Sequence, residues 1–263
     1  MNYPAIVRVT KTIEEAEKVK SIFFGLEREV KPGQFFMILV PGEDEIPMSV
    51  SYATNLEKGI TFKVVGRATR KLYEVKEGSV IGVRGPLGNG FSLKGKNILF
   101  VGGGTGIASI VLAIERAIKE NRECKVVIGA RNEREIIFEE RLRRQGAEVY
   151  ISTDDGSKGF KGKASDLALK LIEEMEPDQV ITCGPEKMMK KIVDICNERE
   201  IYVEASLERF VKCALGICGQ CVIGKGLRIC TDGPVFDGKT LAGCADFGVF
   251  RRDESGKKIY FHE

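Results

Sequence analysis

Eight cysteines stand in the 263-residue chain, and four of them crowd into one stretch, CALGICGQCVIGKGLRIC. Cys213, Cys218, Cys221 and Cys230 there read C-x4-C-x2-C-x8-C. The first three match the spacing of plant-type [2Fe–2S] sites, where a short loop wraps two irons and leaves backbone N–H groups for the sulfurs. Gly216 and Gly219 suit such a loop, because glycine allows close backbone approach and positive φ. A structural zinc site would also use four thiolates, usually as two separated C-x2-C pairs, and only one such pair is present. Unligated thiols are a third reading. Cys244 is an alternative to Cys230 as the fourth ligand. Cys124, Cys183 and Cys196 fall on expected strands and helices, where free cysteine usually acts as a small buried hydrophobe.

A second feature is the turn Gly102-Gly103-Gly104-Thr105-Gly106-Ile107, set between an apolar strand and a helical pattern. Free N–H groups at such a turn are where a dinucleotide pyrophosphate sits. The match to G-x-G-x-x-G is imperfect, since Ile107 takes the last glycine position, and glycine also serves steric ends in tight turns. Cys183-Gly184-Pro185 ends another expected strand and starts another helix. Two turns at strand C-termini would line one crevice, the usual ligand site of an open α/β sheet.

Three segments must position these residues. Residues 1–95 carry short runs rich in Val, Ile, Phe and Thr, at Ala5–Thr10, Ile22–Gly25, Gln34–Val40, Ser49–Ala53, Ile60–Val65 and Ser79–Gly85. They predict a small antiparallel β-barrel, with a short helix near Thr69–Glu74. Residues 96–206 alternate strand and helix: strands at Asn97–Val101, Lys125–Ala130, Glu148–Thr153, Gln179–Cys183 and Tyr202–Ser206, and helices at Ile107–Lys119, Glu135–Gln145, Ser165–Glu174 and Pro185–Asn197. That alternation predicts a doubly wound parallel sheet. Residues 207–263 show weak periodicity and few apolar residues per turn, so a metal cluster is the expected staple.

Composition narrows the function classes. With 43% hydrophobic residues a real core is expected, and 41 basic against 38 acidic residues leave only +3, with no basic block for nucleic acid. No run approaches the roughly 18 apolar residues of a membrane helix, and the N-terminal residues lack an apolar signal core. A cytoplasmic protein is expected, whose thiols serve metal or redox chemistry rather than disulfides. The only histidine is His262. Hydrolases and zinc enzymes that need a histidine inside a formed site are therefore excluded, and no acid–base catalytic residue is expected.

A barrel, then GGGTGIAS, then CGPEKMM, resembles the ferredoxin–NADP⁺ reductase superfamily. The cysteine run followed by Thr231-Asp232-Gly233-Pro234-Val235-Phe236 narrows the resemblance to the electron-transfer subunits of heteromeric dihydroorotate dehydrogenases, over nearly the whole chain. The resemblance implies FAD on the barrel, NAD(H) as exchangeable substrate on the α/β domain, and a [2Fe–2S] cluster at the C-terminal end. It further implies an FMN-containing catalytic partner, a heterotetramer with two of each chain, and a place in pyrimidine biosynthesis.

Position by position, the family's Arg-Pro-x-Ser flavin motif falls on Ile46, Pro47, Met48 and Ser49. Ile46 stands where the family has arginine, and Lys63, Arg67 or Arg70 are the expected substitutes. A family segment ending Gly-x-Gly-Thr falls on Thr61, Phe62, Lys63 and onward to Ala68 and Thr69, with Ala68 in place of a glycine. The Thr69 hydroxyl is implied as a pyrophosphate holder. On the nucleotide side Gly103, Gly104, Thr105, Gly106, Cys183, Gly184 and Pro185 are implied, with Cys183 either approaching the nicotinamide or buried as a plain thiol. Gly85–Phe91 matches the family's domain junction and reads as a linker turn. Two rival readings stand beside this one: a diaphorase-like subunit of a sulfhydrogenase or of an NADH-dependent ferredoxin:NADP⁺ oxidoreductase, and a zinc-stabilised binding module without enzymatic activity.

Overall fold

The computed structural model describes residues 3–261, so His262 lies outside the described residues. Six strands, β1 (Ala5–Ala16), β2 (Val19–Gly25), β3 (Phe35–Leu39), β4 (Ile46–Ala53), β5 (Glu57–Lys63) and β6 (Val80–Leu87), close a barrel in the order β1-β2-β5-β4-β3-β6. All neighbours are antiparallel. Closure leaves no open edge, and Ile22, Phe24, Phe36, Ile60 and Ile81 fill the interior. A short helix, α1 (Arg67–Tyr73), sits in the β5–β6 connection.

The strands β1 and β2 run longer than their composition suggests. The charged stretch Glu14–Lys18 carries a hairpin turn, with Lys18 at φ 60°, and outward-facing residues absorb the charge. Glu15 turns its carboxylate to the Ser21 and Tyr52 hydroxyls, at 2.5 and 2.8 Å.

The second unit is a seven-stranded sheet. Its strands are β7 (Asn97–Gly103), β8 (Glu123–Ala130), β9 (Glu148–Thr153), β10 (Phe160–Lys161), β11 (Gln179–Cys183), β12 (Tyr202–Ser206) and β15 (Val235–Asp237), in the order β10-β9-β8-β7-β11-β12-β15. Every pairing is parallel except the last. Four helices cover it: α2 (Ile107–Lys119), α3 (Glu139–Arg144), α4 (Ala164–Met175) and α5 (Glu186–Glu198). Alternate residues of β7 serve two cores: Ile98 and Phe100 enter one, Leu99 and Val101 the other.

The first core runs unbroken from the barrel interior through α2 into the sheet. That explains why α2 is buried on nearly every side, from Ile107 to Ala117: it is packed between β4 and the sheet. The helix expected from Glu135 begins only at Glu139. Phe138 stands at φ 66°, which breaks the turn, and sends its ring against Tyr52 of the barrel at 5.8 Å.

The remaining elements are β13 (Val222–Ile223), β14 (Leu227–Arg228), α6 (Gly238–Ala242), β16 (Phe250–Arg252) and β17 (Lys258–Tyr260). This segment is held by more than a cluster. Its strand β15 adds antiparallel to β12, and Ile223, Ile229, Phe236, Leu241 and Phe247 complete the second core. The junction at Gly85–Phe91 is also more than a linker. Asn89 donates its side-chain amide to the carbonyls of Asp232 and Val235 at 3.0 and 2.9 Å, and accepts the Val235 N–H at 3.0 Å. Its own N–H donates to Gly233 O at 2.7 Å.

Three side-chain hydrogen bonds at one partly exposed residue are worth about 2 kcal/mol together. Asn89→Ala is expected to cost that much in denaturant unfolding and to release iron faster from the loaded protein. Unchanged stability and iron retention would show that the clip is incidental.

Candidate functional site

The cysteine loop is shaped by its backbone. Ala214, Gly216 and Gly219 take positive φ, at 53°, 74° and 68°, and so curl the chain between Cys213 and Cys221. The curl aims the N–H groups of Leu215 and Cys218 at Cys213 Sγ, at 3.4 and 3.5 Å. Burial works against ionisation of Cys213, but N–H donation from Cys218, Leu215 and Ile217 outweighs it and holds the thiol down at about 6. Cys221 and Cys230 bracket the β13–β14 hairpin, whose ladder continues with Ile229 N–H donating to Cys221 O at 3.2 Å. Burial pushes the Cys221 thiol up to about 11, with the Cys230 backbone and thiol next to it.

The Cys218 thiol adjoins Cys213 and the Cys230 thiol adjoins Cys221, and Cys218 also lies near enough to Cys221 for their charges to interact. Among the described residues no three Cys, His, Asp or Glu side chains converge as one metal ion would require. A [2Fe–2S] cluster takes two thiolates on each iron, so two neighbouring thiolate pairs with N–H groups on one sulfur fit it. Cys244 lies elsewhere: its thiol packs under Gly224, at the hairpin tip, and donates to Thr240 O at 3.4 Å.

Above this loop opens a cleft of about 600 Å³. All three parts of the chain line it. The barrel supplies Ile46, Pro47, Met48 and Ser49 of β4, Thr61, Phe62 and Lys63 of β5, and Thr69; the nucleotide unit supplies Thr105, Ala108 and Ser109. Ser206 ends β12 at the cleft, and the C-terminal part supplies Leu207 to Val211, Ile229, Pro234, Arg251 to Glu254 and Ile259. Ala68 is half-buried beside the cleft on α1. Ser109 donates to Ser49 at 2.8 Å and so pins α2 to β4 at the cleft floor.

Not every expected donor is free. The Thr69 hydroxyl accepts the N–H groups of Val65 and Gly66, both at 2.9 Å, and donates to Gly66 O, which spends it on capping α1. The Thr61 hydroxyl is joined to Ser21 and Ser51 at 2.7 Å inside the barrel. Lys63 reaches Glu135 at 3.2 Å, and Arg67 reaches Glu43 at 2.7 Å.

The nucleotide turns are the C-terminal ends of adjacent strands β7 and β11, where the chain's crossovers diverge to opposite sides. They touch backbone to backbone. A Cβ on Gly106 would come within 2.4 Å of Cys183 O, and one on Gly184 within 2.8 Å of Gly103. Gly104, at φ 56°, has open space where a Cβ would stand. Pro185 opens α5. Cys183 is wholly buried, with the Ser109 and Ser206 hydroxyls beside it; burial pushes its thiol up to about 12, so it is neutral.

One contact was invisible in local pattern. Glu186, the first residue of α5, and Arg209, at the root of the cysteine segment, form a doubly bonded ion pair with side chains only 5% and 3% exposed. Arg209 Nη2 donates to Glu186 Oε1 at 2.6 Å, and the Gly248 N–H donates to the same oxygen at 2.9 Å. Glu208 beside it is open to the cleft solvent yet surrounded by protein, and that burial pushes its carboxyl up while Arg251 pulls it down.

Comparison with known proteins agrees with this layout. Residues 208–242 match the family described as the iron-sulfur cluster binding domain of dihydroorotate dehydrogenase B, and residues 100–194 an oxidoreductase NAD-binding domain. A protein of Methanocaldococcus jannaschii is 44% identical over 262 residues, 99% of this chain and 100% of the relative. One of Methanothermobacter thermautotrophicus is 40% identical, covering 98% of each. Both bear the name "Probable dihydroorotate dehydrogenase B (NAD(+)), electron transfer subunit". A solved chain of an NADH-dependent reduced ferredoxin-NADP oxidoreductase is 31% identical, with TM-score 0.80, over 91% of this chain and 90% of that one. The ferredoxin reductase of a carbazole dioxygenase shares the fold, with TM-score 0.68 at 20% identity, over 75% of this chain and 66% of that one.

Breaking a buried ion pair on one side leaves an uncompensated charge, at a cost of about 3–5 kcal/mol, whereas replacing both partners by apolar groups is often neutral. Arg209→Met is therefore expected to destabilise the protein strongly in denaturant unfolding, and Glu186→Met with Arg209→Met to recover most of the loss. A double variant no better than the single one would contradict this.

Proposed function

The chain belongs to the family of dihydroorotate dehydrogenase B electron-transfer subunits, and on that premise we propose that it relays electrons between a catalytic partner's FMN and NAD⁺, through a [2Fe–2S] cluster and FAD. One observation carries the reading: a single cleft is lined at once by barrel strands β4 and β5, by the end of the nucleotide turn and by the root of the cysteine loop. A nicotinamide exchanges two electrons as hydride, an iron–sulfur cluster exchanges one at a time, and a flavin between them manages both.

Ile46, Pro47, Met48, Ser49, Thr61, Phe62, Lys63, Ala68 and Thr69 would hold the flavin. Gly103 to Gly106 and Cys183 to Pro185 would receive the nicotinamide nucleotide, and Cys213, Cys218, Cys221 and Cys230 would ligate the irons. The chain's own work is positioning. The Ser109–Ser49 bond holds barrel and nucleotide unit in register across the cleft. The Glu186–Arg209 pair holds the second nucleotide turn against the segment that leads to Cys213. Apolar Phe35, Leu207, Val211 and Ile229 wall the cleft, and Ile229 adjoins the buried Cys230, so the cleft wall reaches one end of the cysteine loop.

The outlet to the partner lies at Cys218, the exposed cysteine of the four, with Ile217 80% and Leu215 41% exposed beside it. Exposed apolar side chains around a redox centre suit burial by a partner. The resemblance supports a heterotetramer, two chains of each kind, passing electrons from dihydroorotate to NAD⁺ in pyrimidine biosynthesis. Eight cysteines without a disulfide among the described residues support a reducing, cytoplasmic setting. No described helix is long and apolar enough to cross a membrane. The second reading, a subunit like that of the NADH-dependent reduced ferredoxin-NADP oxidoreductase, draws on the 31% identical solved chain; the 44% identical relative favours the first.

Cys218→Ser tests the relay. The variant is expected to lose the cluster absorbance and its iron, to keep flavin and NADH-dependent reduction of a small dye, and to lose electron passage to the catalytic partner. Undiminished passage with iron retained would defeat the proposal.

A further inference from the structure

The C-terminal hairpin β16–β17 crosses the mouth of the cleft. On the cysteine side, Gln220 donates to Asp253 O at 2.5 Å. On the barrel side, Glu254 lies close enough to Arg67 of α1 for their charges to act on one another. The register pairs Phe250 with Tyr260, Arg251 with Ile259, and Arg252 with Lys258. Arg251 and Ile259 both line the cleft, while the Phe250 and Tyr260 rings, which are not among its lining residues, meet at a tilt with centroids 5.6 Å apart. Lys258 sits over the Phe250 ring at 4.5 Å.

Four cationic side chains line the cleft, and three are spent. Lys63 pairs with Glu135, Arg209 with Glu186, and Arg252 donates to Gly256 O at 2.9 Å within its own hairpin. Arg251 has no hydrogen-bond or ion-pair partner among the described residues. Glu208 is the acid nearest in effect, and no ion pair joins the two. A dinucleotide's diphosphate carries two negative charges and needs a cation where it enters a partly desolvated cleft. The Thr69 hydroxyl is spent on its helix, as described above, and Ile46 supplies no charge.

The geometry points to Arg251 as the residue that binds the diphosphate of the flavin dinucleotide, with Ile259 beside it covering an apolar part of the same ligand. The assignment rests on the FAD reading above. It makes the hairpin, which the iron-sulfur cluster binding match at residues 208–242 does not include, part of the flavin site.

Riboflavin, which lacks the phosphates, provides the test. Full-length protein with its cluster in place is titrated with FAD and with riboflavin, and binding is followed by quenching of flavin fluorescence. Arg251→Ala is expected to weaken FAD by about 10- to 100-fold, the usual worth of a charge-assisted contact, and to leave riboflavin within about twofold. Arg251→Lys should recover much of the loss. Lys258→Ala, which removes the same charge from a hairpin residue that does not line the cleft, should leave both flavins bound as before. An unchanged FAD constant in Arg251→Ala, or an equal loss for FAD and riboflavin, overturns the assignment. Wild-type protein that binds neither flavin overturns the FAD reading and this assignment with it.

Discussion

A single buried ion pair, Glu186 with Arg209, joins the two halves of the molecule's chemistry. Each side chain is almost wholly removed from water, so each needs the other. Glu186 begins the helix that follows the second nucleotide turn; Arg209 stands four residues before the first clustered cysteine. The second nucleotide turn and the root of the cysteine segment are thereby joined by a rigid contact rather than by a flexible loop. The Gly248 N–H on the same carboxylate extends the tie to the segment carrying the terminal hairpin. Arg209 of this knot lines the cleft, and the other walls come from the barrel, the nucleotide unit and the terminal hairpin.

The second constraint is the continuity of the core. Helix α2 is apolar almost all round because it packs between barrel and sheet, and Ser109 closes the contact with a hydrogen bond to Ser49. Electron transfer within a chain needs redox groups held at fixed separation. A shared core and a buried ion pair provide that.

Much of the fold was legible in the residue pattern. Helix α2 and strands β9, β11 and β12 have the bounds that period and turn residues suggest, because each is a strongly apolar run with clear punctuation. The β1–β2 hairpin was hidden by its charges, since an exposed strand face tolerates Glu and Lys. Helix α3 started late because a buried phenylalanine ring outweighed local propensity. The terminal segment offered little period, yet its turn, Asp253 to Gly256, is a clear strand-break signal: Asp253 accepts the Ser255 and Lys257 N–H groups, and Gly256 takes positive φ.

Among site residues, the cysteines announce themselves by spacing alone, and the proposed flavin wall on β4 and β5 by resemblance. The Glu186–Arg209 pair, and the placement of Arg251 over the cleft, come from long-range packing that no short motif encodes. The relay as a whole is tested most directly by anaerobic mixing with NADH, using flavin-loaded protein and the same protein stripped of flavin, while cluster absorbance and paramagnetic resonance are followed. The account predicts that NADH reduces the cluster only in the loaded protein, although dithionite reduces it in both. Equal reduction of the cluster by NADH without flavin would contradict it.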